Sequence, residues 1–372
     1  MEDSKKSGKF YLCGYFIVNV MELIYQIQQS VRNYFLRKSY YNLYKVIYHN
    51  NPLLRKKALF EDKWLQKWKS LDSHIKIDSY RIFSRYIGED VNILPLEYCA
   101  TVIEPFLDPK QFWAYYNDKN MFDKMFGTDI LPKTIIRNID GAYYTDDYKT
   151  YKEKMLSLSI ASKYIIIKPS IDGESGRGVV KLQIGNGNIH LESLKLQFGE
   201  NFIVQECLSQ HPYMAQFNNT SVNTIRVMTY RSLATNEVVI PNAILRVGAE
   251  GKDVDNAHAG GMFCGISANG VLGKYMCDYL GNKKKSFNGV DYSNSDFCIP
   301  NYNRVKEFAK EVADKVLHHR LLALDIMLDE QGNPKLIEVN VGGFSAWLFQ
   351  YTNGSAFGQY TDEVISFLKK KK

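Results

Sequence analysis

The sequence predicts an α+β protein with a helical extension at its N-terminal end. Residues 10–70 contain one proline and, after residue 14, no glycine, and their apolar and aromatic residues recur at helical spacing. From Tyr164 onward the chain changes to short runs that are rich in β-branched residues and separated by turn signals. One predicted helix, at about Asn303–His319, interrupts these strands. With 45% hydrophobic and 23% charged residues, disordered and collagen-like classes are excluded.

The first 70 residues are the basic part of the chain. They hold 13 Lys and Arg but only 5 Asp and Glu, a net charge of +8, whereas the remaining 302 residues have a net charge of −1. A general polyanion-binding protein would carry its charge more widely, and no base-reading motif is present, so a nucleic-acid partner is disfavoured. The segment could bring the protein to an anionic membrane surface, a lipid-linked glycan or a protein partner. Alternatively, this basic segment is a helical cap that packs on the first lobe of the remaining protein.

The cysteines indicate the cellular compartment. All six are scattered, with no Cys-x-x-Cys pair and no spacing typical of a zinc site. In a chain of this length they predict reduced, mostly buried thiols of a cytoplasmic protein. No apolar run reaches the roughly 18 residues that a membrane span needs. We therefore expect a cytoplasmic location, with a peripheral position at the inner face of the membrane as a further option.

A glycine-rich segment follows the predicted strand Tyr164–Lys168. Gly173, Gly176 and Gly178 would let the backbone approach a ligand and present free N–H groups as an anion cradle. Lys168 could supply a point charge to a phosphate. The segment is neither a Walker A loop nor a dinucleotide fingerprint, because no Gly-Lys-Ser/Thr follows and a strand stands where a helix should open. The alternative interpretation is a mobile β-hairpin tip.

Two acids and an asparagine lie on a predicted β-hairpin near the C-terminal end. Asp325 lies on an apolar strand, and Glu338 and Asn340 share one face of the next strand because side chains alternate. Buried acids are costly unless they are paired or bound to a cation, and three oxygen ligands suit Mg²⁺ that also holds substrate phosphates. Gly342-Gly343 would leave space beside the acids. The alternative is a solvated hairpin face.

In their order along the chain, these features resemble the ATP-grasp ligases over about residues 75–372. That superfamily carries a lysine, a strand-end lysine with a glycine-rich hairpin, a linker strand with a Glu, and an Asp…Glu-x-Asn set. The matching segments here are Asp118-Lys119, Lys168 with Gly173–Gly178, Gln205-Glu206-Cys207-Leu208, and Asp325 with Glu338-Val339-Asn340.

Further segments resemble one family within it, the sugar-transfer associated ATP-grasp family, which is named for its association with polysaccharide biosynthesis. They are Tyr80–Gly88, Ile103-Glu104-Pro105, Gln210-His211-Pro212, Ser221–Arg226, Leu245–Gly248, and Asp255-Asn256 before Gly260-Gly261. The resemblance implies an ATP-grasp fold in which two α+β lobes hold ATP between them. The implied domains are the basic helical segment at 1–70, an N-terminal α/β region at 71–160, a small lobe at 161–225 and a large lobe at 226–372.

The resemblance also implies roles for individual residues. The ATP phosphates would be held by Lys119, Lys168, Ser170, Gly173, Ser175, Gly176 and Gly178. The adenine and ribose would be contacted by Glu206, Cys207, Leu208 and His211. One or two Mg²⁺, with Mn²⁺ as an alternative, would be bound by Asp325, Glu338 and Asn340. Arg226 and Arg246 would steady the γ-phosphate or the acyl phosphate, and Asn256 would border the acceptor pocket. Lys124 is a rival for the role of Lys119.

The implied activity is an ATP-dependent carboxylate–amine ligase that proceeds through an acyl phosphate. Its substrates would be a glycan or glycan precursor in capsule or cell-surface polysaccharide biosynthesis. Two alternatives are an ATP-grasp enzyme acting on an amino acid, a peptide or another small acceptor, and a non-enzymatic nucleotide-binding surface protein. The sequence departs from other members after the Gly-Gly segment, where Asp291–Pro300 lacks their His-Pro-Asp motif. If that loop selects the substrate, substrate identity cannot be transferred from relatives.

Overall fold

The computed structural model describes residues 3–157, 164–171, 173, 178–184, 188–252, 255–294 and 296–370, and for residues 3–19 and 22 it describes the backbone alone. Over these residues the chain forms helices packed on antiparallel sheets, which confirms the predicted α+β class and the N-terminal helical extension.

Helices dominate the first third of the chain. The first helix stops at Asn50, because Pro52 forces Asn51 out of the helical region (φ −139°, ψ 89°). The helices are α1 (Asp3–Asn50), α2 (Glu61–Lys69), α3 (Asp78–Ile87), α4 (Leu96–Tyr98), α5 (Glu104–Leu107), α6 (Trp113–Asn117), α7 (Phe122–Phe126), α8 (Leu191–Phe198), α9 (Pro212–Ala215), α10 (Tyr302–Asp314), α11 (Ala346–Thr352) and α12 (Thr361–Lys370).

Strands occupy much of the rest of the chain, and from Tyr164 onward those of five or more residues lie where the β-branched runs predict them. They are β1 (Thr134–Ile139), β2 (Ala142–Thr145), β3 (Met155–Ser157), β4 (Tyr164–Pro169), β5 (Val180–Gln183), β6 (Asn188–His190), β7 (Phe202–Glu206), β8 (Thr224–Arg231), β9 (Val238–Val247), β10 (Met262–Gly265), β11 (Met276–Cys277), β12 (Lys283–Lys284), β13 (Ser286–Phe287), β14 (Val290–Asp291), β15 (Leu321–Leu328) and β16 (Pro334–Val341).

Five strands form a small antiparallel sheet in the order β2-β1-β7-β4-β5. Helix α8 covers one face, where Ile136, Ile165 and Phe202 pack against Leu191 and Leu194. Two of its three inner strands, β7 and β4, end next to the cavity described below. The sheet takes strands from both sides of residue 160, so the domain boundaries given above remain a prediction.

Seven strands form the larger sheet in the order β12-β11-β10-β9-β8-β15-β16. The β15–β16 pair is the predicted hairpin, and it places Asp325 opposite Glu338. Every residue of β15 is buried because both faces of the sheet are covered. Leu322 and Leu324 belong to the core that contains α10, whereas Leu321 and Ala323 face the core built from the N-terminal and C-terminal helices.

The helix before this hairpin is shorter than predicted, since α10 ends at Asp314 and not near His319. The connection that follows packs against the N-terminal helices instead of continuing the helix. His319 is fully buried with its Nδ1 3.6 Å from Asp108 Oδ1, and the Arg320 N–H donates to the Leu107 carbonyl at 3.0 Å. His319 is therefore part of a buried connection between α10 and β15, whereas the neighbouring His318 is exposed.

The N-terminal segment divides into two parts. Between Tyr44 and Leu71 many apolar side chains, including Trp64 and Trp68, are buried in the core of the larger lobe, although others such as Leu53 and Leu59 are exposed. In the preceding part of α1, large apolar side chains such as Leu23, Ile27 and Phe35 are exposed. No helix in the described residues has the length and apolar character that crossing a bilayer requires.

Candidate active site

A cavity lies between the small sheet and the β15–β16 edge of the larger sheet. The small sheet supplies residues of β4 and β7, and the larger sheet supplies residues of β8, β9, β15 and β16. Apolar side chains line part of it, as suits a nucleotide base. The predicted site residues that line it are Lys119, Lys168, Gly173, Glu206, Cys207, Leu208, Arg246, Asn256, Asp325 and Glu338.

Two lysines enter the cavity from the side of the small sheet. Lys119 is attached to the end of β4 because its N–H donates to the Ser170 carbonyl at 3.0 Å, and its Nζ lies 2.9 Å from Glu338 Oε1. Lys168 is only 8% exposed. Burial and then the nearby Lys119 lower the pKa of Lys168 to about 8, although Glu338 opposes this shift. Two close cations of this kind suit a ligand with several negative charges.

The rival lysine lies elsewhere. Lys124 Nζ is 3.8 Å from the centroid of the Tyr148 ring and does not line the cavity. Of the two candidates, the structure therefore brings Lys119 to the predicted metal ligands.

Asp325 forms the centre of a charged row across the larger sheet. Its cross-strand neighbours are Arg226 on β8 and Glu338 on β16. Arg226 donates to both carboxylate oxygens at 2.8 Å, and Arg246 Nη1 donates to Oδ2 at 3.0 Å. Burial alone would raise the pKa of Asp325, but the two guanidinium groups outweigh it and hold the pKa at about 2. Asp325 is therefore a carboxylate at neutral pH.

Asp255 and Thr224 belong to the same network, and sequence reasoning missed them. Arg246 Nη2 lies 3.0 Å from Asp255 Oδ1, and the Thr224 hydroxyl donates to Asp255 Oδ2. Burial raises the pKa of Asp255, and Arg246 counteracts this. In the sequence, only the position of Asp255 directly before Asn256 pointed to a role in the site. The joint contact of Thr224 and Arg246 with Asp255 could not be read from the sequence, because the pairing of β8 with β9 places Thr224 opposite Arg246.

The donor set suits a magnesium ion. Asp325 and Glu338 are cross-strand neighbours on the adjacent strands β15 and β16. The Asn340 amide donates to the Ala323 carbonyl at 3.0 Å and to Asp325 Oδ2 at 3.4 Å. Two carboxylates and one amide oxygen are hard donors, and Mg²⁺ takes one or two carboxylates together with substrate phosphates. Among the described residues no group of three His, Cys, Asp or Glu side chains could hold a metal by itself, so Asn340 and the substrate would complete the shell.

The glycine-rich hairpin is described only in part. Gly173 lies in the cavity wall, where an added Cβ would be 3.9 Å from Lys119 Nζ. Gly178 has φ +79° and packs against the Pro169 ring, so it shapes the hairpin and does not line the cavity. Ser170 is fully buried directly after β4, and its hydroxyl has no hydrogen-bond partner among the described residues. Ser175 and Gly176 lie outside the described residues.

The predicted adenine segment follows β7 along the cavity. The Glu206 N–H donates to the Lys133 carbonyl at 2.9 Å, and the Cys207 N–H donates to the Tyr164 carbonyl at 3.3 Å. His211 is not brought to the cavity. It caps α9, where its Nδ1 accepts from the Tyr213 N–H at 3.2 Å, and it packs beside Gly332. A contact between His211 and the ribose remains a prediction that this arrangement does not favour.

Asn256 stands at the other end of the cavity. Its Oδ1 accepts from the His258 N–H at 3.0 Å, which orients the turn that leads to Gly261. A Cβ on Gly261 would lie 2.8 Å from the carbonyl oxygens of Asp255 and Asn256, so only glycine fits there.

The expected space at the first glycine after Asn340 is absent. A Cβ on Gly342 would lie 2.4 Å from the Trp113 ring, because the indole packs directly against the backbone. The prediction that Gly342 leaves room beside the acids is therefore wrong, and the close approach of Trp113 explains the glycine.

The sequence matches the sugar-transfer associated ATP-grasp family over residues 99–364, which is more than half of the chain. The protein therefore belongs to this family. The match confirms the family resemblance, the ATP-grasp fold and the class of ATP-grasp ligases that the ordered motifs predict. No curated protein matches the sequence.

Several solved structures are similar to part of this chain at low sequence identity. They include an ADP complex of purK, N5-carboxyaminoimidazole ribonucleotide synthetase (14% identity, TM-score 0.40, covering 69% of this chain and 53% of that one). The ATP-grasp ligase PsnB, complexed with minimal precursor, Mg and ADP, has 13% identity and a TM-score of 0.38, and the match covers 71% of this chain and 62% of that one. An L-amino acid ligase from Bacillus licheniformis has 12% identity and a TM-score of 0.37, and the match covers 84% of this chain and 61% of that one. This chain thus spans between about half and three fifths of the length of these proteins.

Proposed function

We propose that the protein is an ATP-dependent carboxylate–amine ligase that acts through an acyl phosphate. The observation that carries the proposal is the pairing of Lys119 and Lys168 with the oxygen donors of β15 and β16 in one cavity. Phosphoryl transfer needs positioning and neutralisation of charge more than covalent help from the protein. Two lysines, two arginines and a donor set that suits Mg²⁺ supply both.

The proposed reaction has two steps. A substrate carboxylate oxygen attacks the γ-phosphorus of ATP, the bond from that phosphorus to the bridging oxygen of ADP breaks, and an acyl phosphate forms. An amine nitrogen then attacks the acyl carbon, the bond to the phosphate oxygen breaks, and the amine loses a proton as the amide forms. Lys119 and Lys168 would hold the phosphates of ATP, and Arg246, which reaches the cavity from β9, would steady the transferred group.

Asp325, Glu338 and Asn340 would hold one or two Mg²⁺, which would neutralise charge on the phosphates when bound; Mn²⁺ could replace it. A positioning role for Arg226 is supported by its two hydrogen bonds to Asp325 and by its position outside the cavity lining. Arg226 would thus act on the site through Asp325 and not through the phosphate.

The proposed substrates are a glycan or glycan precursor that provides the carboxylate and an amine that accepts it, in the biosynthesis of capsule or other surface polysaccharide. The name of the family supports this choice. An amino acid or peptide acceptor is the alternative, and the L-amino acid ligase acts on amino acids according to its name. A non-enzymatic role is disfavoured because Asp325, Glu338 and Asn340 are all present. Phosphate release across a panel of uronic acids, amino acids and amino sugars would identify the substrate class.

Nucleotide binding is the first test of the proposal. We expect Mg²⁺ with a non-hydrolysable ATP analogue to raise the melting temperature of the wild-type protein, and Glu338→Ala to lose most of this increase. The matched control is Glu330→Ala, which removes an exposed acid from the turn of the same hairpin. Thermal unfolding at millimolar nucleotide provides the measurement. Absence of any shift in the wild-type protein would rule out the ligase proposal.

We also propose that the exposed part of α1 docks on an anionic membrane surface, where a lipid-linked glycan would be found. Its apolar residues recur at positions 20, 24, 27 and 31 on one face, and they are 38–54% exposed. Arg32 and Lys38 add positive charge nearby, in a segment whose net charge is +8. The buried residues between Tyr44 and Leu71 match the helical-cap alternative, so the two interpretations apply to different parts of the segment.

Vesicle binding tests this docking surface. The protein should sediment with vesicles that contain phosphatidylserine but not with neutral phosphatidylcholine vesicles, and Ile24→Glu with Ile27→Glu should abolish binding. Gln26→Glu with Asn33→Glu adds the same charge to the opposite face and should weaken binding far less. Failure of the wild-type protein to sediment would contradict the proposal. So would a dimer in solution that the Ile24 and Ile27 variants convert to a monomer, since a second copy would then cover this face.

A further inference from the structure

Two buried acids lie outside the cavity, in the α5 region, and the reaction does not use them. Glu104 and Asp108 are 9% and 0% exposed. Burial raises the pKa of Glu104 to about 7 and also raises that of Asp108. Neither acid has an arginine or lysine partner at ion-pair distance among the described residues. A buried carboxylate without such a partner raises the free energy of the folded protein, so we expect other polar groups to stabilise it.

Both acids are directed at the backbone that leaves β16. Glu104 Oε1 accepts from the Phe344 N–H at 2.7 Å, and the amide of Gly343 also lowers the pKa of Glu104. Asp108 Oδ1 accepts from the Leu321 N–H at 3.1 Å, and the amide of Gly342 lowers the pKa of Asp108. Asp108 therefore bonds to the first residue of β15 and lies near the Gly342 amide at the end of β16, at the open end of the hairpin that carries the proposed metal ligands.

Two glycines allow the loop to turn so that its amides lie beside the acids. Gly342 and Gly343 have φ values of +76° and +69°, a region that glycine enters without the steric cost of a Cβ. The anions beside these amides are side chains of the protein itself. Trp113 packs against Gly342 from outside, so the loop is held from both sides.

We propose that Glu104 and Asp108 are positioning residues that fix the Gly342–Phe344 backbone and thereby hold Glu338 and Asn340 in place for Mg²⁺-bound nucleotide. Asn340 is only two residues before Gly342, and its amide bonds to Ala323 and Asp325 depend on the register at this end of β16. The inference rests on the proposed function of the site. It assigns a role to the Ile103-Glu104-Pro105 segment, which the nucleotide chemistry leaves without one.

The test compares Glu104 with a buried acid that does not bond to the Gly342–Phe344 loop. Glu104→Ala removes both acceptors and Glu104→Gln keeps one, whereas the control Glu97→Ala removes an equally buried acid whose Oε2 bonds to the Tyr44 hydroxyl and not to the loop. Calorimetry would give the affinity for an ATP analogue with Mg²⁺ and with EDTA. We expect Glu104→Ala to weaken Mg²⁺-dependent binding by about tenfold, Glu104→Gln to weaken it less, and binding in EDTA to stay unchanged. Glu97→Ala should lower the melting temperature only.

Hydrogen exchange provides a readout that does not need nucleotide. The amides of Gly343 and Phe344 should be protected in the wild-type protein and in Glu97→Ala, and they should exchange faster in Glu104→Ala. If Glu104→Ala does not fold, Asp108→Asn tests the same loop from its other acceptor. Unchanged protection, or an equal loss of affinity in the Glu97 and Glu104 variants, would overturn the proposal. Failure of the wild-type protein to bind nucleotide would instead overturn the proposed function, and it would be seen in the wild-type titration.

Discussion

Replacing Asp325 with asparagine should destabilise the protein by about 3–5 kcal/mol, because Arg226 and Arg246 would remain buried without their shared carboxylate. Asparagine has nearly the same shape, so the loss would report the charge and not a cavity. Urea unfolding would measure the change. Mg²⁺-dependent nucleotide binding should be lost as well.

The control for this variant is Asp314→Asn, which breaks the ion pair between Arg231 and an acid that is 62% exposed. Exposed pairs contribute roughly 0–1 kcal/mol, so the control should unfold close to the wild-type denaturant concentration. Equal effects of the two substitutions would show that the Asp325 network has no special importance for stability.

The same carboxylate should give an acid limb to the stability curve. The pKa of Asp325 is about 2 in the folded protein, below the roughly 3.9 of an unfolded aspartate. Its contribution is therefore complete above about pH 4 and is lost as the pH falls toward 2. The difference in unfolding free energy between wild type and Asp325→Asn should shrink over that window. A constant difference between pH 5 and pH 2 would contradict this assignment.

The parts of the site that could be predicted from the sequence are those that local pattern determines. Lys168, Glu338 and Asn340 lie on strands whose alternation and turns are visible in the sequence, and their hairpins form as predicted. The remaining site residues were predicted from the order of the family's motifs along the chain.

The parts that could not be predicted depend on contacts between distant strands and helices. Thr224 joins Arg246 and Asp255 because β8 pairs with β9. Glu104 and Asp108 lie in and directly after α5, more than 200 residues before the N–H groups that donate to them. The neighbours of His211 in the motif suggest a ribose contact, whereas in the structure its ring caps α9. In each case the spacing along the chain does not report the tertiary contact.

Lys168 should make ATP use sensitive to alkaline pH. Its pKa is lowered to about 8 by burial and by Lys119, so the free protein loses this charge as the pH rises through 8. Because kcat/KM reports the ionisation of the free enzyme, we expect kcat/KM for Mg²⁺-ATP to be level below pH 7.5 and to fall above 8. Lys168→Met should lower kcat/KM by about 100–1000-fold at pH 7, the range seen when one charge-stabilising group is removed.

Lys168→Arg distinguishes the titration of this lysine from other causes of the alkaline fall. A guanidinium group stays charged across the whole range, so kcat/KM of this variant should remain level to about pH 9.5, even if its value at pH 7 is lower. Lys133→Met provides a matched control, since Lys133 is an exposed lysine near Glu206 and its loss should leave the alkaline fall unchanged. A fall near pH 8 that persists in Lys168→Arg would assign the titration to another group. A level wild-type profile would show that Lys168 keeps its proton in the folded protein, so that the attraction of Glu338 exceeds the combined effect of burial and Lys119.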